Sequence, residues 1–208
     1  MSISKKGKIK DIGEIVVGFS LLFLGLSFMK NSVPDLQSTP EALSFIQSWS
    51  GHGLWSILLF VAVGTVLTLV LQSSSATVAL TLIVLNMGWI KFDMAAAMVL
   101  GENIGTTITS NIAAMGANTQ ARRAAFAHLT FNVFGVIWVL CGFYPFIDMV
   151  CGFVGVNPHA DHIDAARLSV VLAAFHTTFN VCNTSILIWL IPQMERFVCY
   201  VIKPSNRK

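Results

Sequence analysis

Charged side chains are scarce in this sequence and unevenly placed. Asp, Glu, Lys and Arg make up 11% of the 208 residues, against roughly 25% in an average soluble domain. None occurs in the 38 residues from Gly53 to Ile90, and about 20 apolar residues suffice to cross a bilayer. Further apolar stretches occupy Ile12–Met29, Met94–Thr119, Ala124–Ile147 and Leu168–Gln193. The sequence therefore predicts an all-α integral membrane protein, with residues 1–208 forming a single membrane domain.

Residue patterns typical of enzymes and metal proteins are also missing. The four cysteines have neither paired nor metal-ligand spacing, which is typical of apolar filler residues. No nucleophile–base pair, phosphate-binding glycine loop or zinc-type spacing occurs. The segment "NPHADHID" holds His159, Asp161, His162 and Asp164, but without supporting ligands elsewhere it is interpreted as a solvated loop. We therefore expect no enzyme activity, no cofactor, no resident metal and no nucleic-acid partner.

Basic residues indicate which loops face the cytoplasm, because short cytoplasmic loops carry an excess of Lys and Arg. Such residues precede the first apolar stretch, separate the third and fourth, and follow the last: Lys5, Lys6, Lys8, Lys10, Arg122, Arg123, Arg196, Lys203, Arg207 and Lys208. We therefore expect a multi-pass protein of the cell inner (cytoplasmic) membrane, with both termini in the cytoplasm.

This orientation requires the uncharged block Gly53–Ile90 to begin and end outside the cell. It does so either as two full crossings or as a re-entrant hairpin, about residues 53–90, with its tip at Gln72–Ser75. The second limb, Ala76–Ile90, has 15 residues, which is short for a crossing of about 30 Å at about 1.5 Å per residue. The sequence thus predicts about four transmembrane helices plus a re-entrant helical hairpin, with six helices as the alternative.

The tip places one amide and three hydroxyls in the middle of the apolar run "TVLTLVLQSSSATVALT". Non-helical backbone at membrane depth is tolerated only inside protein or beside water, so the tip predicts a cavity. A second polar cluster, "GENIGTTITSN", contains Gly101 and Gly105, which permit the chain to unwind or to approach a ligand closely. Two broken helices would offer N–H groups to an anion, and carbonyls and hydroxyls to Na⁺.

Other polar residues in the apolar stretches have structural interpretations. Isolated hydroxyls such as Thr65 and Thr81 are expected to bond back to their own helices, whereas Asn132 and Asn180 are expected to bridge helices. Ionisable groups within spans are rare and usually functional. Three of them have no assigned role at this point: Glu102, His128 and His176. The carboxyl group can coordinate a cation, pair with a neighbour or lie at an entrance, and an interfacial or structural role is favoured for the two histidines.

Three motifs taken together resemble the type II sodium:phosphate cotransporter family: "LQSSSAT" at Leu71–Thr77, "GENIGTTIT" at Gly101–Thr109 and "RRAAFAHLTFNVFGV" at Arg122–Val136. The chain is most similar to the second, C-terminal repeat of bacterial members. The resemblance implies a transport domain of two inverted repeats, whose Gln-Ser-Ser-Ser hairpin tips meet to form the phosphate and Na⁺ sites. The residues that it implies at or beside those sites are Gln72, Ser73, Ser74 and Ser75, with Asn103, Thr106 and Thr107 as neighbours.

The same resemblance implies sodium-dependent transport of inorganic phosphate, with Na⁺ as the coupling ion. Only one Gln-Ser-Ser-Ser occurs in this chain. A site made of two tips would therefore need either a second copy in the opposite orientation or a separate first-repeat chain. Two alternatives stay open: a carrier for another oxyanion, and a non-transporting accessory or degenerate membrane subunit.

Overall fold

The computed structural model describes residues 5–32, 44, 48–157 and 164–204. The chain divides into two compact units, residues 1–40 and residues 41–208. In the first unit, helix α1 (Lys5–Ser32) contains a segment, Gly7–Ser32, that is long and apolar enough to cross a membrane. The expectations for His159, Asp161, His162, Arg207 and Lys208 lie outside the described residues.

All regular secondary structure in the described part of the second unit is helical, which confirms the all-α prediction. Its α-helices are α2 (Leu54–Leu71), α3 (Ser74–Asn86), α4 (Phe92–Ala114), α5 (Thr119–Cys141), α6 (Phe143–Val154), α7 (Ala165–Leu187) and α8 (Ile191–Val201). Short 3₁₀ turns at Trp49–Gly51 and Ile188–Leu190 precede α2 and join α7 to α8.

Four helical segments among the described residues have the length and composition of membrane spans. They are Gly7–Ser32, α2, α5 and the continuous segment Ala165–Val201. The chain is therefore a multi-pass membrane protein. One expected apolar run is divided: Ala124–Ile147 is interrupted at Gly142, where α5 ends and the short α6 begins.

The core of the second unit surrounds the first half of α4. Five consecutive or nearly consecutive side chains there are fully buried: Ala95, Ala96, Ala97, Val99 and Leu100. On α7, Phe175 and Phe179 are also fully buried, and the ring of Phe175 lies edge-on to that of Phe146 in α6 at 5.4 Å. All four cysteines are free.

Glycines bring α2 and α4 into backbone contact. A Cβ atom added to Gly101 would lie 2.0 Å from the carbonyl oxygen of Val61, and one added to Gly105 would lie 2.7 Å from that of Thr65. Gly64 of α2 meets the backbone of α4 equally closely, at 2.2 Å. Because these contacts advance together along both helices, α2 and α4 are parallel, and they pack through small residues four apart.

The expectation that Gly101 and Gly105 unwind a helix was therefore wrong. Helix α4 is continuous from Phe92 to Ala114, and its glycines admit the backbone of α2 instead. The physical reason is that a residue without Cβ permits either unwinding or close helix packing. Here the neighbouring helix occupies the space.

Helix α3 runs back along α2, so the two form a helical hairpin. The hydroxyl oxygens of Thr68 in α2 and Thr77 in α3 are 3.3 Å apart. One turn later in α3, Thr81 donates to Glu102 of α4. Gly101, the residue before Glu102, lies against Val61 and Thr65, which precede Thr68 in α2, so α3 advances as α2 is followed backwards. The 13 residues of α3 extend about 20 Å, which is shorter than a hydrocarbon core of about 30 Å. Re-entry of this hairpin into a membrane stays a prediction.

One asparagine bridges α5 and α7, but it is not one of the two that we expected. Asn183 donates to the carbonyl oxygen of Phe131 at 3.0 Å and accepts from the Trp138 indole N–H at 3.2 Å. The amides of Asn132 and Asn180 donate to carbonyls four residues earlier in their own helices. The prediction that Asn132 and Asn180 bridge helices was thus wrong.

Candidate functional site

The chain breaks between α2 and α3 at the position predicted for the hairpin tip. Gln72 follows the last residue of α2 and has a left-handed backbone conformation, with φ 52° and ψ 25°. Ser73 is extended, with φ −149° and ψ 109°, and its hydroxyl accepts from the Ala76 N–H at 3.3 Å, capping α3. Gln72 is the one non-glycine with positive φ among the described residues. Such a conformation is uncommon and is concentrated at functional sites.

The tip presents polar groups that the described structure does not use. Gln72 and Ser75 are exposed and Ser74 is half-buried, and none of the three side chains has a hydrogen-bond partner among the described residues. The first N–H groups of α3 lie beside them, and a helix N-terminus carries a partial positive charge. Hydroxyls, an amide and free N–H groups together suit an anion, and the oxygens also suit a small cation.

Buried hydroxyls continue from the tip into the protein. Thr68 and Thr77 are at most 1% exposed, and Thr77 also donates to the carbonyl of Ser73 at 3.0 Å. One turn deeper, Thr81 is fully buried and donates to Glu102 Oε1 at 2.9 Å. We call Thr68, Thr77, Thr81 and Glu102 the polar column.

The structural interpretation of the two isolated threonines needs correction. Thr81 bonds to a carboxylate of another helix, not to its own backbone. Thr65 donates to its own helix at Val61, as expected, but also to the carbonyl of Gly101 in α4 at 3.0 Å. Both hydroxyls therefore join helices. The spacing of Thr77 and Thr81, four residues apart on one helix face, is the signal that could have indicated a polar stripe.

Glu102 is the buried ionisable group of this site. Its side chain is 1% exposed, Oε1 accepts from Thr81, and Oε2 has no hydrogen-bond partner within the described ranges. Helices α2 and α3, which form the hairpin packed against it, contain no Asp, Glu, Lys, Arg or His. A carboxyl group in such surroundings is costly when ionised, unless a cation compensates it.

The other predicted residues of α4 bond to their own helix and do not meet at the tip. Asn103 donates to the carbonyl of Val99, Thr106 to that of Glu102 and Thr107 to that of Ile104. None has a recorded hydrogen bond to Gln72, Ser73, Ser74 or Ser75. The prediction that the helix carrying this second polar cluster is broken was therefore wrong.

Their positions on the helix separate these three residues into two faces. Thr106 is one turn from Glu102, so it lies on the face toward α3. Asn103, Thr107 and Asn111 follow one another at intervals of four residues, and the Asn111 amide donates to the α5 carbonyl of Ala125 at 2.8 Å. They therefore lie on the face toward α5.

The two histidines lie on helices outside the hairpin. His128 is exposed and lines a groove of about 710 Å³ between α5 and α8, together with Arg123, Phe131 and Glu195. His176 is half-buried on α7. Neither imidazole hydrogen bonds to the polar column among the described residues, and the roles of the two histidines stay without assignment.

Comparison with known proteins gives a family match. Residues 46–154 match the family model described as "Na+/Pi-cotransporter". This range contains the hairpin, the polar column and α4. No solved structure matches the chain.

Individual relatives differ in how much of their length the chain covers. It is 34% identical over 198 residues to "Uncharacterized protein YqeW" of Bacillus subtilis, covering 93% of this chain and 58% of the relative. It is 24% identical over 199 residues to "Putative inorganic phosphate export protein YjbB" of Escherichia coli, covering 96% of this chain and 34% of the relative. The "Sodium-dependent phosphate transport protein 2C" of Homo sapiens is 38% identical over 87 residues, covering 39% of this chain and 14% of the relative. The chain thus spans less than two thirds of each relative.

Proposed function

The chain belongs to the Na⁺/Pi-cotransporter family, and on that premise we propose that it takes part in sodium-dependent transport of inorganic phosphate across the cell inner membrane. The observation that carries this proposal is the helix break at Gln72 and Ser73, which leaves unpartnered ligand groups at the N-terminus of α3. Gln72, Ser73, Ser74 and Ser75 would bind phosphate and Na⁺. We expect Thr106, Asn103 and Thr107 to support this site from α4.

Neutral ligands suit a carrier that must release its anion. Phosphate is a mono- or dianion near neutral pH, and moving each charge into a negative cell costs about 2.3 kcal/mol per 100 mV. Bound Na⁺ neutralises the anion and couples its movement to the sodium gradient. Hydroxyl and amide groups hold phosphate less tightly than a fixed Lys or Arg would, and the block around the tip has neither from Gly53 to Ile90. Apart from Na⁺ as coupling ion, the proposal requires no cofactor and no enzymatic step.

The site would be completed by a second chain. The family resemblance implies two tips, and this sequence has one Gln-Ser-Ser-Ser. A second copy in the opposite orientation or a separate first-repeat chain would supply the other. The alternative of a non-transporting accessory subunit belongs to the same test. The names of relatives include both phosphate export and sodium-dependent phosphate transport. The test must therefore decide the direction of transport and whether phosphate or another oxyanion is carried.

The test is labelled phosphate flux in proteoliposomes containing this chain alone. We expect uptake with an inward Na⁺ gradient and much less with an equal K⁺ gradient, and excess arsenate or sulfate outside reports the choice of oxyanion. An outward Na⁺ gradient on loaded vesicles measures export. Folded protein without flux in either direction would contradict transport by this chain alone and favour the accessory subunit.

Two substitutions of the same chemical type distinguish a binding role of the tip from a structural one. Gln72→Ala removes the amide at the tip, and we expect it to reduce Na⁺-dependent flux at least tenfold. Gln193→Ala removes an exposed amide on α8 and should leave the flux unchanged. Equal fluxes from the two variants would contradict a role for the tip in binding.

A further inference from the structure

Glu102 carries a functional group that the proposed transport site does not use. Its partner Thr81 is eight residues after Ser73, which is two helical turns, or about 12 Å at about 1.5 Å per residue, from the tip. One carboxyl oxygen has a single hydrogen bond and the other has none within the described part of the chain, although the side chain is 1% exposed.

No described side chain compensates a negative charge at this position. Helices α2 and α3 contain no ionisable residue. The other helices that pack against α4 carry basic groups, and none of these forms an ion pair with Glu102 among the described residues: Arg122, Arg123 and His128 on α5, and Arg167 and His176 on α7. On α4 itself, Asp93 is nine residues away and bonds to the N–H of Met94. Among the described residues, compensation is therefore left to a bound cation or a proton.

We propose that the Glu102 carboxyl group, with the Thr81 hydroxyl, is a monovalent-cation site that takes a proton or a Na⁺ ion. A proton needs one oxygen and fits the packing described here. A Na⁺ ion needs several oxygens, and the site offers the two carboxyl oxygens of Glu102 and the Thr81 hydroxyl, with the Thr77 hydroxyl one turn away on α3. The polar column connects this site with the tip.

Occupancy of this site would affect phosphate at the tip, and this step rests on the proposed function. An uncompensated carboxylate repels an anion at the tip, and a cation on Glu102 removes the repulsion. For unit charges about 12 Å apart at an effective dielectric constant of about 20, Coulomb's law gives a roughly tenfold effect on phosphate affinity. By linkage, phosphate would strengthen cation binding by the same factor.

The test that does not depend on transport is infrared difference spectroscopy of the full chain in lipid nanodiscs. In Na⁺-free buffer at neutral pH, we expect a carbonyl band of a protonated carboxyl group. The band should be absent from Glu102→Gln and retained in Glu195→Gln, which changes an exposed carboxyl group. Adding Na⁺ distinguishes the two ions: loss of the band assigns Na⁺ to the site, and persistence assigns the proton.

A second variant guards against misfolding of Glu102→Gln. Thr81→Val removes the hydrogen bond to Oε1 and should shift the frequency of the same band. Identical carbonyl spectra of the wild type and folded Glu102→Gln in Na⁺-free buffer would overturn the proposal, as would a band that Thr81→Val leaves unshifted.

Equilibrium binding of labelled phosphate then tests the link to the tip. The wild type should lose roughly tenfold in affinity when the cation leaves Glu102, beyond the effect of phosphate's own ionisation, and Glu102→Gln should not. If the chain binds no phosphate at all, the proposed function fails while the infrared result still decides the cation site. Phosphate binding with no difference between the two proteins would overturn the link.

Discussion

Replacing Gly101 with Ala tests the close contact between α2 and α4. The added Cβ would lie 2.0 Å from the carbonyl oxygen of Val61 and 2.8 Å from the backbone nitrogen of Thr65. Ordinary contact begins near 3.4 Å, so the helices must separate by about 1.4 Å. Because the opposing atoms are backbone, no side-chain rotation can relieve the overlap.

The cost follows from two losses. Overpacking of a well-packed interface costs about 1–3 kcal/mol, and separation of the helices also breaks the bond from Thr65 to the Gly101 carbonyl, a net loss of about 0.5–1.5 kcal/mol. The control is Gly152→Ala on α6, where an added Cβ meets nothing within 4 Å. Both variants gain the same helix propensity, about 1 kcal/mol, so their difference isolates the contact.

Thermal unfolding in detergent, followed by circular dichroism, measures this difference. We expect Gly101→Ala to be about 2–4 kcal/mol less stable than Gly152→Ala, or roughly 4–16 °C lower in Tm for a chain of this size. Equal Tm values for the two variants would refute the parallel contact of α2 and α4, because any arrangement that holds these backbones together must exclude the methyl group.

Three further substitutions test other contacts. Gln72→Gly keeps the left-handed conformation and removes the amide, so stability should be unchanged within about 0.5 kcal/mol while Na⁺-dependent phosphate flux falls; a fall in Tm would assign the residue a structural role. Thr81→Val leaves a buried carboxylate oxygen without its donor and should cost about 1–3 kcal/mol, against little for Thr177→Val, whose exposed hydroxyl bonds to its own helix. Asn183→Ala should cost about 2–4 kcal/mol and more than Asn180→Ala, both read as denaturant midpoints, because only the former breaks two interhelical bonds.

The position of the helix break was predictable from the sequence because it depends on local composition. Four adjacent polar residues in an apolar run interrupt a span whatever the arrangement of the neighbouring helices. The structure ends α2 at Leu71 and begins α3 at Ser74, within the predicted tip. Hydrogen bonds between neighbours in sequence, such as the cap from Ser73 to Ala76, follow from the same local information.

The role of the second motif was not predictable in the same way. Gly101 and Gly105 permit both unwinding and close packing, and the choice depends on a helix 36 or more residues away in sequence. The asparagines show the same limit. Asn180 and Asn183 are three residues apart on α7, and only the orientation of α7 toward α5 decides which amide reaches the partner helix.

The residues of the motif "GENIGTT" lie on different faces of α4, and the face of each residue determines which helix it contacts. The glycines face α2 and allow the backbones to meet, while Asn103 and Thr107 face α5. The hydrogen bonds of Asn103, Thr106 and Thr107 end on their own helix. Glu102 alone in this motif points an unsatisfied atom into the hairpin. The motif thus holds the hairpin against α4 through its glycines and supplies it with one buried carboxyl group, so a change at Gly101 should disturb the tip through packing, whereas a change at Glu102 should disturb it through charge.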